Sequence, residues 1–390
     1  MPASTDVVVV GGGVVGCAVA YYLAKRGARV TVIERSIVGC GASSANSGAI
    51  AMATKKPGLA LDLAMASQRL YPGLKAELGS DVDYVVEGNL IIAETESEAA
   101  HLEALAAAQQ AAGVPVQTVS EMRCRALNPL LEGRVLAGIH CETDAQADPF
   151  KVTRAYAMAA QNAGAEILVH TSVEAIAVES GCVRSVRTSR GAVRANWVVN
   201  ATGAHAPEIG KMVGVAHEVL PRRGQIIVLE ATDDMPTIRV SAAGQLLAKH
   251  GGPGTGGANV ALSYTSKPLN GTVLLGSSNE FAGYDTRTTL PVVAEICQRA
   301  CGLMPRLGGF NALRSWAGLR PYSASGPVLG GAGGPNGYAT AIGHGGDGMA
   351  LAPISGLYLA EYIAHDGKNC SLPEFLDGLK AAAAPSPMVR

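Results

Sequence analysis

"DVVVVGGGVVGCAVAYYLAKRGARVTVIER", residues 6–35, reads as strand, turn, helix and second strand. Val7–Val10 is an unbroken β-branched run, the pattern of a parallel strand covered on both faces. Gly11, Gly13 and Gly16 follow at G-x-G-x-x-G spacing, where the chain must turn into the helix. The first glycine permits the tight turn, the second lets backbone approach a pyrophosphate, and the third lets helix pack on strand. A phosphate held there meets the free N–H groups and positive dipole end of a helix. Val30–Ile33 forms the second strand, and Glu34 ends it where an acid binds a ribose 2′-hydroxyl. That acid disfavours a 2′-phosphate, so NADP is set aside, while NAD and FAD both stay open.

The bulk composition narrows the class. With 390 residues, 48% hydrophobic and 16% charged, the chain is a well-buried α/β protein of two domains or one large one. A net charge of −1 gives no footprint for nucleic acid or an acidic membrane surface. The eight cysteines are scattered without a CxxC pair, which argues against zinc or dithiol chemistry and for reduced thiols in a cytoplasmic protein. The chain runs into a strand by Val7 with no basic leader region. No apolar run is long enough to span a bilayer; "LAPISGLYLAEYIA" (351–364), broken by Pro353, Gly356 and Glu361, reads as a half-buried helix.

A second small-residue loop, "GCGASSANSG" (39–48), follows the first unit directly. Ser43, Ser44, Asn46 and Ser47 offer short polar side chains, and a helix starting near Ser44 or Asn46 would offer further N–H groups. A simple NAD unit has no need of this loop. An elongated flavin dinucleotide has a ribityl chain and a second phosphate to cradle.

With the first unit, this loop resembles the FAD-dependent amino acid oxidase/dehydrogenase superfamily. That group includes D-amino acid oxidases, glycine and sarcosine oxidases, and the flavoprotein subunits of opine and hydroxyproline dehydrogenases. Its G-x-G-x-S-x-x-N-x-G pattern fits residues 39–48. Further segments match in order. "ILVHTSVEAI" (167–176) resembles a strand that contacts adenine at Val173. "WVVNATGAHAPEIG" (197–210) resembles the second FAD strand and turn, with His205 where many members have an aromatic in the flavin pocket wall. "PRRGQIIVLE" (221–230) resembles the strand entering the substrate domain. "AGLRPYSASGPVLGG" (317–331) and "GHGGDGMALAPISG" (343–356) resemble the closing motifs, with Ser325-Gly326 where an aspartate is common. "LLGSSNEFAGYDT" (274–286) resembles the opine, hydroxyproline and hydrogen-cyanide-synthase-like branch.

The resemblance implies a Rossmann-like FAD-binding domain with a discontinuous α+β substrate domain. The first is expected at 1–80, 145–218 and 318–390, the second at 81–144 and 219–317. Helices are expected at 97–113, 150–164 and 289–302, and a frayed tail at "AAAAPSPMVR". The implied FAD contacts are Gly11, Gly13, Val14, Val15, Glu34, Arg35, Ala42, Ser43, Ser44, Asn46, Ser47, Gly48, Val173, Ala201, Thr202, Gly203, Arg320, Gly345, Gly346, Asp347, Gly348 and Met349. No cysteine stands in "RPYSASG", so FAD is expected to be noncovalent.

The implied reaction oxidises the C–N bond of an amino acid or secondary amine of the D-amino acid, opine or hydroxyproline class. A hydride passes to flavin N5, and the imine is hydrolysed to a keto acid. Arg320 matches the family's carboxylate-binding arginine, and its planar fork suits a carboxylate. Tyr264 is expected to add a phenolic hydrogen bond to substrate, and His344 to bond the cofactor beside the flavin-facing turn. Asp347 is expected to cap the helix that follows. Lys249 and His250 fall in the substrate domain without an assigned role. The opine/hydroxyproline branch further implies a hetero-oligomer with partner redox subunits and a second flavin at a subunit interface. Two other readings stand beside this one: an NAD-dependent dehydrogenase using only the first unit, and a flavoprotein subunit that relays electrons without catalysis.

Overall fold

The computed structural model describes residues 2–244, 246, 260, 262–267, 270–331, 333–368 and 370–383. Lys249, His250 and the last seven residues of the expected frayed tail lie outside the described residues.

Two eight-stranded sheets organise the molecule. The first is built on Ser4–Val10, which pairs in parallel with Val30–Ile33 on one edge and Gly191–Asn200 on the other. Glu166–Leu168 extends it beyond Val30–Ile33, and Tyr338–Ile342 pairs in parallel with the end of Gly191–Asn200. The antiparallel strands Val173–Glu179, Cys182–Thr188 and Val328–Gly330 complete it. Val7–Val10 are all buried because helices and strands cover both faces, which is why no polar alternation marks this strand.

The Gly11 turn depends on close backbone approach. Its φ is +106°, and a Cβ there would lie 2.6 Å from the carbonyl oxygen of Ala201. Val14–Lys25 then runs back along the sheet and packs against Gly348–Ala364 and Pro149–Asn162. Ala18, Tyr22, Tyr156, Ala352 and Leu359 meet in one buried cluster between these helices.

The second sheet runs in the order Ala312–Tyr322, Leu220–Glu230, Thr272–Gly276, Ser263–Lys267, Arg239–Ala242, Asn89–Ala93, Ala137–Cys141, Val116–Ser120. Only the pairing of Arg239–Ala242 with Asn89–Ala93 is parallel; the others are antiparallel. Ala312–Tyr322 pairs with Leu220–Glu230 along its whole length, so a cut at 317/318 falls inside one strand. One face of this sheet packs on Leu290–Leu303 through Val292, Ile296 and Ala300. The other face opens toward the carboxyl ends of the first sheet's parallel strands, the crevice where ligands of open α/β sheets bind.

Three helices lie near their expected positions. Glu96–Ala111 starts on a Thr95–Glu98 capping box, Pro149–Asn162 on the Asp148 carboxylate, and Leu290–Leu303 follows Thr289. Two expectations are corrected. Residues 167–176 are not one strand: a break at 169–172 separates Glu166–Leu168 from Val173–Glu179. No helix starts at Ser44 or Asn46, because the Asn46 amide bonds the loop itself. Its Nδ2 donates to the carbonyls of Ala42 (3.0 Å) and Ser43 (2.9 Å), and its Oδ1 accepts from the Gly48 N–H at 2.8 Å.

Candidate active site

One cavity of about 1180 Å³ runs between the two sheets. Gly11, Gly13, Val14 and Val15 line its first end, with Glu34, Arg35, Val173, Ala201, Thr202 and Gly203. The Glu34 carboxylate is fixed there. Its Oε2 accepts from the Gly12 N–H at 2.8 Å and its Oε1 from the Ser36 N–H at 2.8 Å. The second loop is tied to the first: Ser43 Oγ accepts from the Val14 N–H at 2.9 Å, at the N-terminus of the first long helix. Ala42, Ser43, Ser44, Asn46 and Ser47 line the cavity beyond it. Gly48 does not; it is buried behind the loop, with its carbonyl accepting from the Ala147 N–H at 2.9 Å.

His205 lies at the Glu34 end of the cavity. Its Nε2 is 2.7 Å from Arg35 Nη2 and its Nδ1 2.8 Å from Glu208, while its ring stacks on Tyr284 with centroids 4.6 Å apart. The histidine that stands where many family members have an aromatic is thus engaged by Arg35, Glu208 and Tyr284.

At the far end, Gly345, Gly346, Asp347, Gly348 and Met349 line the cavity where Gly348–Ala364 begins. The first turn of such a helix presents free N–H groups and a positive dipole end. Asp347 does not cap it through its side chain. Its carboxylate lies 3.2 Å from the buried Lys55 ammonium, and that ion pair outweighs capping. His344 is buried with Nε2 3.0 Å from Ser355 Oγ, and burial holds its pKa down at about 4, so the ring is neutral at pH 7.

Arg320 opens onto the same end. Its Nη2 donates to Ser277 Oγ at 2.8 Å and its Nη1 to the Ser278 carbonyl at 3.0 Å. The guanidinium lies flat over Gly224, where a Cβ would come within 2.1 Å of Nη1. Arg222 stands directly opposite Arg320 on the neighbouring strand and stacks over the Tyr322 ring at 4.6 Å. Loss of hydration, and then repulsion from Arg222, lower the Arg320 pKa to about 10, so it stays charged at neutral pH.

Tyr264 is not brought to this cavity. Strand alternation sends Ser263 and Thr265 toward it and Tyr264 into the opposite face, where its hydroxyl donates to the Pro236 carbonyl at 2.7 Å. The expected phenolic contact to substrate is corrected accordingly. Arg239 had gone unrecognised in the sequence. It lines the cavity with Nη1 on Ser47 Oγ (3.2 Å) and Nη2 on Ser263 Oγ (3.1 Å). The available signal was polar alternation in Arg239–Ala242, where Arg239 and Ser241 alternate with Val240 and Ala242.

The family model for DAO, FAD dependent oxidoreductase, matches residues 6–362. The chain belongs to this FAD-dependent oxidoreductase family. A curated glycine oxidase of Geobacillus kaustophilus is 31% identical over 368 residues, covering 92% of this chain and 92% of that protein. The crystal structure of glycine oxidase from Geobacillus kaustophilus matches with TM-score 0.86 at 29% identity, covering 96% of this chain and 98% of that one. The crystal structure of L-proline dehydrogenase from P. horikoshii matches with TM-score 0.84 at 27% identity, covering 98% and 99%.

FAD is the cofactor of this oxidoreductase, and the NAD-only reading falls away. The cavity fits a long dinucleotide. It continues past the Gly11 turn and Glu34, along the loop that Ser43 ties down, to the N-terminus of Gly348–Ala364. No helix among the described residues is long and apolar enough to cross a membrane.

Proposed function

We propose that this flavoenzyme oxidises the C–N bond of an amino acid or of a secondary amine bearing a carboxylate. One observation carries the reading: a charged guanidinium, Arg320, held by Ser277 and Ser278 over Gly224, opens into the cavity beside the glycine turn that starts Gly348–Ala364. A planar fork fixed in this way binds a carboxylate in two-point fashion.

Bound FAD supplies the two-electron acceptor, taking a hydride at N5. The protein's task is then binding, orientation and exclusion of water. Gly11, Gly13, Val14, Glu34 and the 42–47 loop would hold the adenosine and pyrophosphate part, and residues 345–349 the ring end. Arg320 holds the substrate carboxylate and so aims its Cα–H. The residues near it are suited to that role rather than to proton transfer: His344 is neutral and bonded to Ser355, and Asp347 is paired with Lys55. The substrate amine therefore enters uncharged, losing its proton to solvent before it binds. On this reading the sheet containing Ser4–Val10 is the cofactor unit, and the sheet containing Leu220–Glu230 is the substrate unit.

The names of the matched relatives, glycine oxidase and L-proline dehydrogenase, support a primary or secondary α-amino acid as substrate class. Anaerobic addition of D-amino acids, hydroxyprolines and N-substituted amino acids to the yellow holoenzyme tests it. Bleaching by at least one of them, lost in Arg320→Lys at unchanged FAD content, is the expected result. Undiminished turnover by Arg320→Lys would defeat the anchor role. Reoxidation of the bleached enzyme with dioxygen, compared with an artificial carrier, assigns the acceptor.

A further inference from the structure

We propose that the cavity takes a substrate with two carboxylates, one on Arg320 and the second in a separate pocket formed by Arg239, Ser241 and Thr265. This rests on the amine-oxidation reading for the first carboxylate but not for the second pocket.

An enclosed cation is tolerated when paired, and an enclosed polar atom when hydrogen-bonded. Elsewhere around this sheet the rule holds: Arg223 pairs with Glu280 at 2.6 Å and Asp285 at 3.1 Å. Arg239 and Arg320 differ. Their partners are the hydroxyls of Ser47, Ser263 and Ser277 and the Ser278 carbonyl, all neutral. Among the described residues, neither has a carboxylate within ion-pair distance, and the sequence from 243 to 262 contains no Asp or Glu.

A second observation points the same way. Ser241 and Thr265 are each only 1% exposed and line the cavity. Their hydroxyl oxygens, and Nε of Arg239, are buried without a hydrogen-bond partner among the described residues. Two unmet hydroxyls beside a guanidinium whose own Nε–H is also unmet match the needs of an anion with several acceptor oxygens.

The two pockets belong to one space. Arg239 bonds Ser47, while Gly318, two residues before Arg320, packs so closely on Ala45 that a Cβ there would lie 2.6 Å away. Both guanidiniums therefore flank the same short loop. A monocarboxylate on Arg320 leaves Arg239 without an anion in direct contact. A dicarboxylic amino compound supplies one to each, with the second carboxylate on either the side chain or the nitrogen substituent.

The test uses holoenzyme and ligands that cannot be oxidised. Acetate and propionate are compared with malonate, succinate and glutarate by the shift each causes in the flavin absorbance, at constant ionic strength. A dicarboxylate is expected to bind at least about ten-fold tighter than either monocarboxylate. That preference should vanish in Arg239→Met and shrink in Thr265→Val, with monocarboxylate binding retained. Equal affinities for the two ligand classes would overturn the proposal. So would an Arg239→Met holoenzyme that keeps the preference, or one that folds but no longer holds FAD. Thr265→Val removes one hydroxyl without charge change and covers the case in which Arg239→Met does not fold.

Anaerobic bleaching then identifies the source of the second carboxylate. Faster reduction by D-aspartate or D-glutamate than by D-alanine places it on the side chain. Faster reduction by iminodiacetate than by sarcosine places it on nitrogen. If dicarboxylates bind tightly but no amine bleaches the flavin, the reaction assignment fails and the two-anion site stands. If monocarboxylic amines bleach it as fast as dicarboxylic ones, the two-anion site fails and the reaction stands.

Discussion

Replacing Gly224 by alanine isolates the placement of Arg320 from everything else in the fold. The new Cβ would lie 2.1 Å from Nη1 and 2.3 Å from Cζ of Arg320. Ordinary contact begins at 3.4 Å, so the guanidinium must retreat by about 1.3 Å. Its bonds to Ser277 Oγ (2.8 Å) and the Ser278 carbonyl (3.0 Å) leave little room for that shift. Bonds to a charged group contribute about 1.5–3 kcal/mol each, and a misplacement of about 1 Å costs on the order of 10²-fold in rate. We expect kcat/KM of Gly224→Ala to fall by about 10²-fold. Stability should fall by about 1–3 kcal/mol as these bonds weaken, but not collapse, because Gly224 does not use the left-handed region and the atoms that must move end a side chain. FAD content should be unchanged. The assay is steady-state turnover alongside the 450-nm absorbance and a thermal melt. Wild-type kcat/KM in a folded, fully flavinated Gly224→Ala would refute the assigned position of the substrate carboxylate.

Three further outcomes follow from the same geometry. Ser43→Ala leaves the Val14 N–H without its acceptor, at a cost of about 1–2 kcal/mol, so FAD should dissociate about ten-fold more readily by fluorescence titration. Glu34→Gln turns one of the two acceptors facing Gly12 and Ser36 into a donor, and should weaken FAD retention by a comparable or larger factor in the same titration. His344 has a folded pKa of about 4 against an ordinary 6.5, so between those values the unfolded chain binds more protons. Stability is therefore lost as pH falls from 6.5 toward 4, by at most about 3 kcal/mol. Melts across that window should show a flatter pH dependence for His344→Gln than for wild type.

The first sheet's nucleotide unit was legible because each of its determinants is local: a β-branched run, glycines at fixed spacing and a terminal acid within a few turns of chain. The substrate end was less so, because its residues come from strands distant in sequence. Tyr264 shows why. Ser263–Ser266 is buried on both faces, so no alternation of burial reveals which side chains meet the cavity, and a shift of one residue exchanges the faces. Arg239 reads as an ordinary charge until pairing aligns it with Ser263 and the 42–47 loop. Asp347 occupies a standard capping position, but its choice of Lys55 depends on a residue almost three hundred positions away. The place of His205 was not legible for a similar reason: Arg35 and Tyr284, distant in sequence, determine where its ring lies.

C–N oxidation at this site is tested most directly by an anaerobic titration of the purified yellow protein, followed at 450 nm, with α-amino acids and N-substituted amino acids set against the matching α-hydroxy acids. The amino compounds should bleach the flavin and the hydroxy acids should leave it oxidised. Bleaching by a hydroxy acid, or no bleaching by any amine, would contradict C–N oxidation at this site.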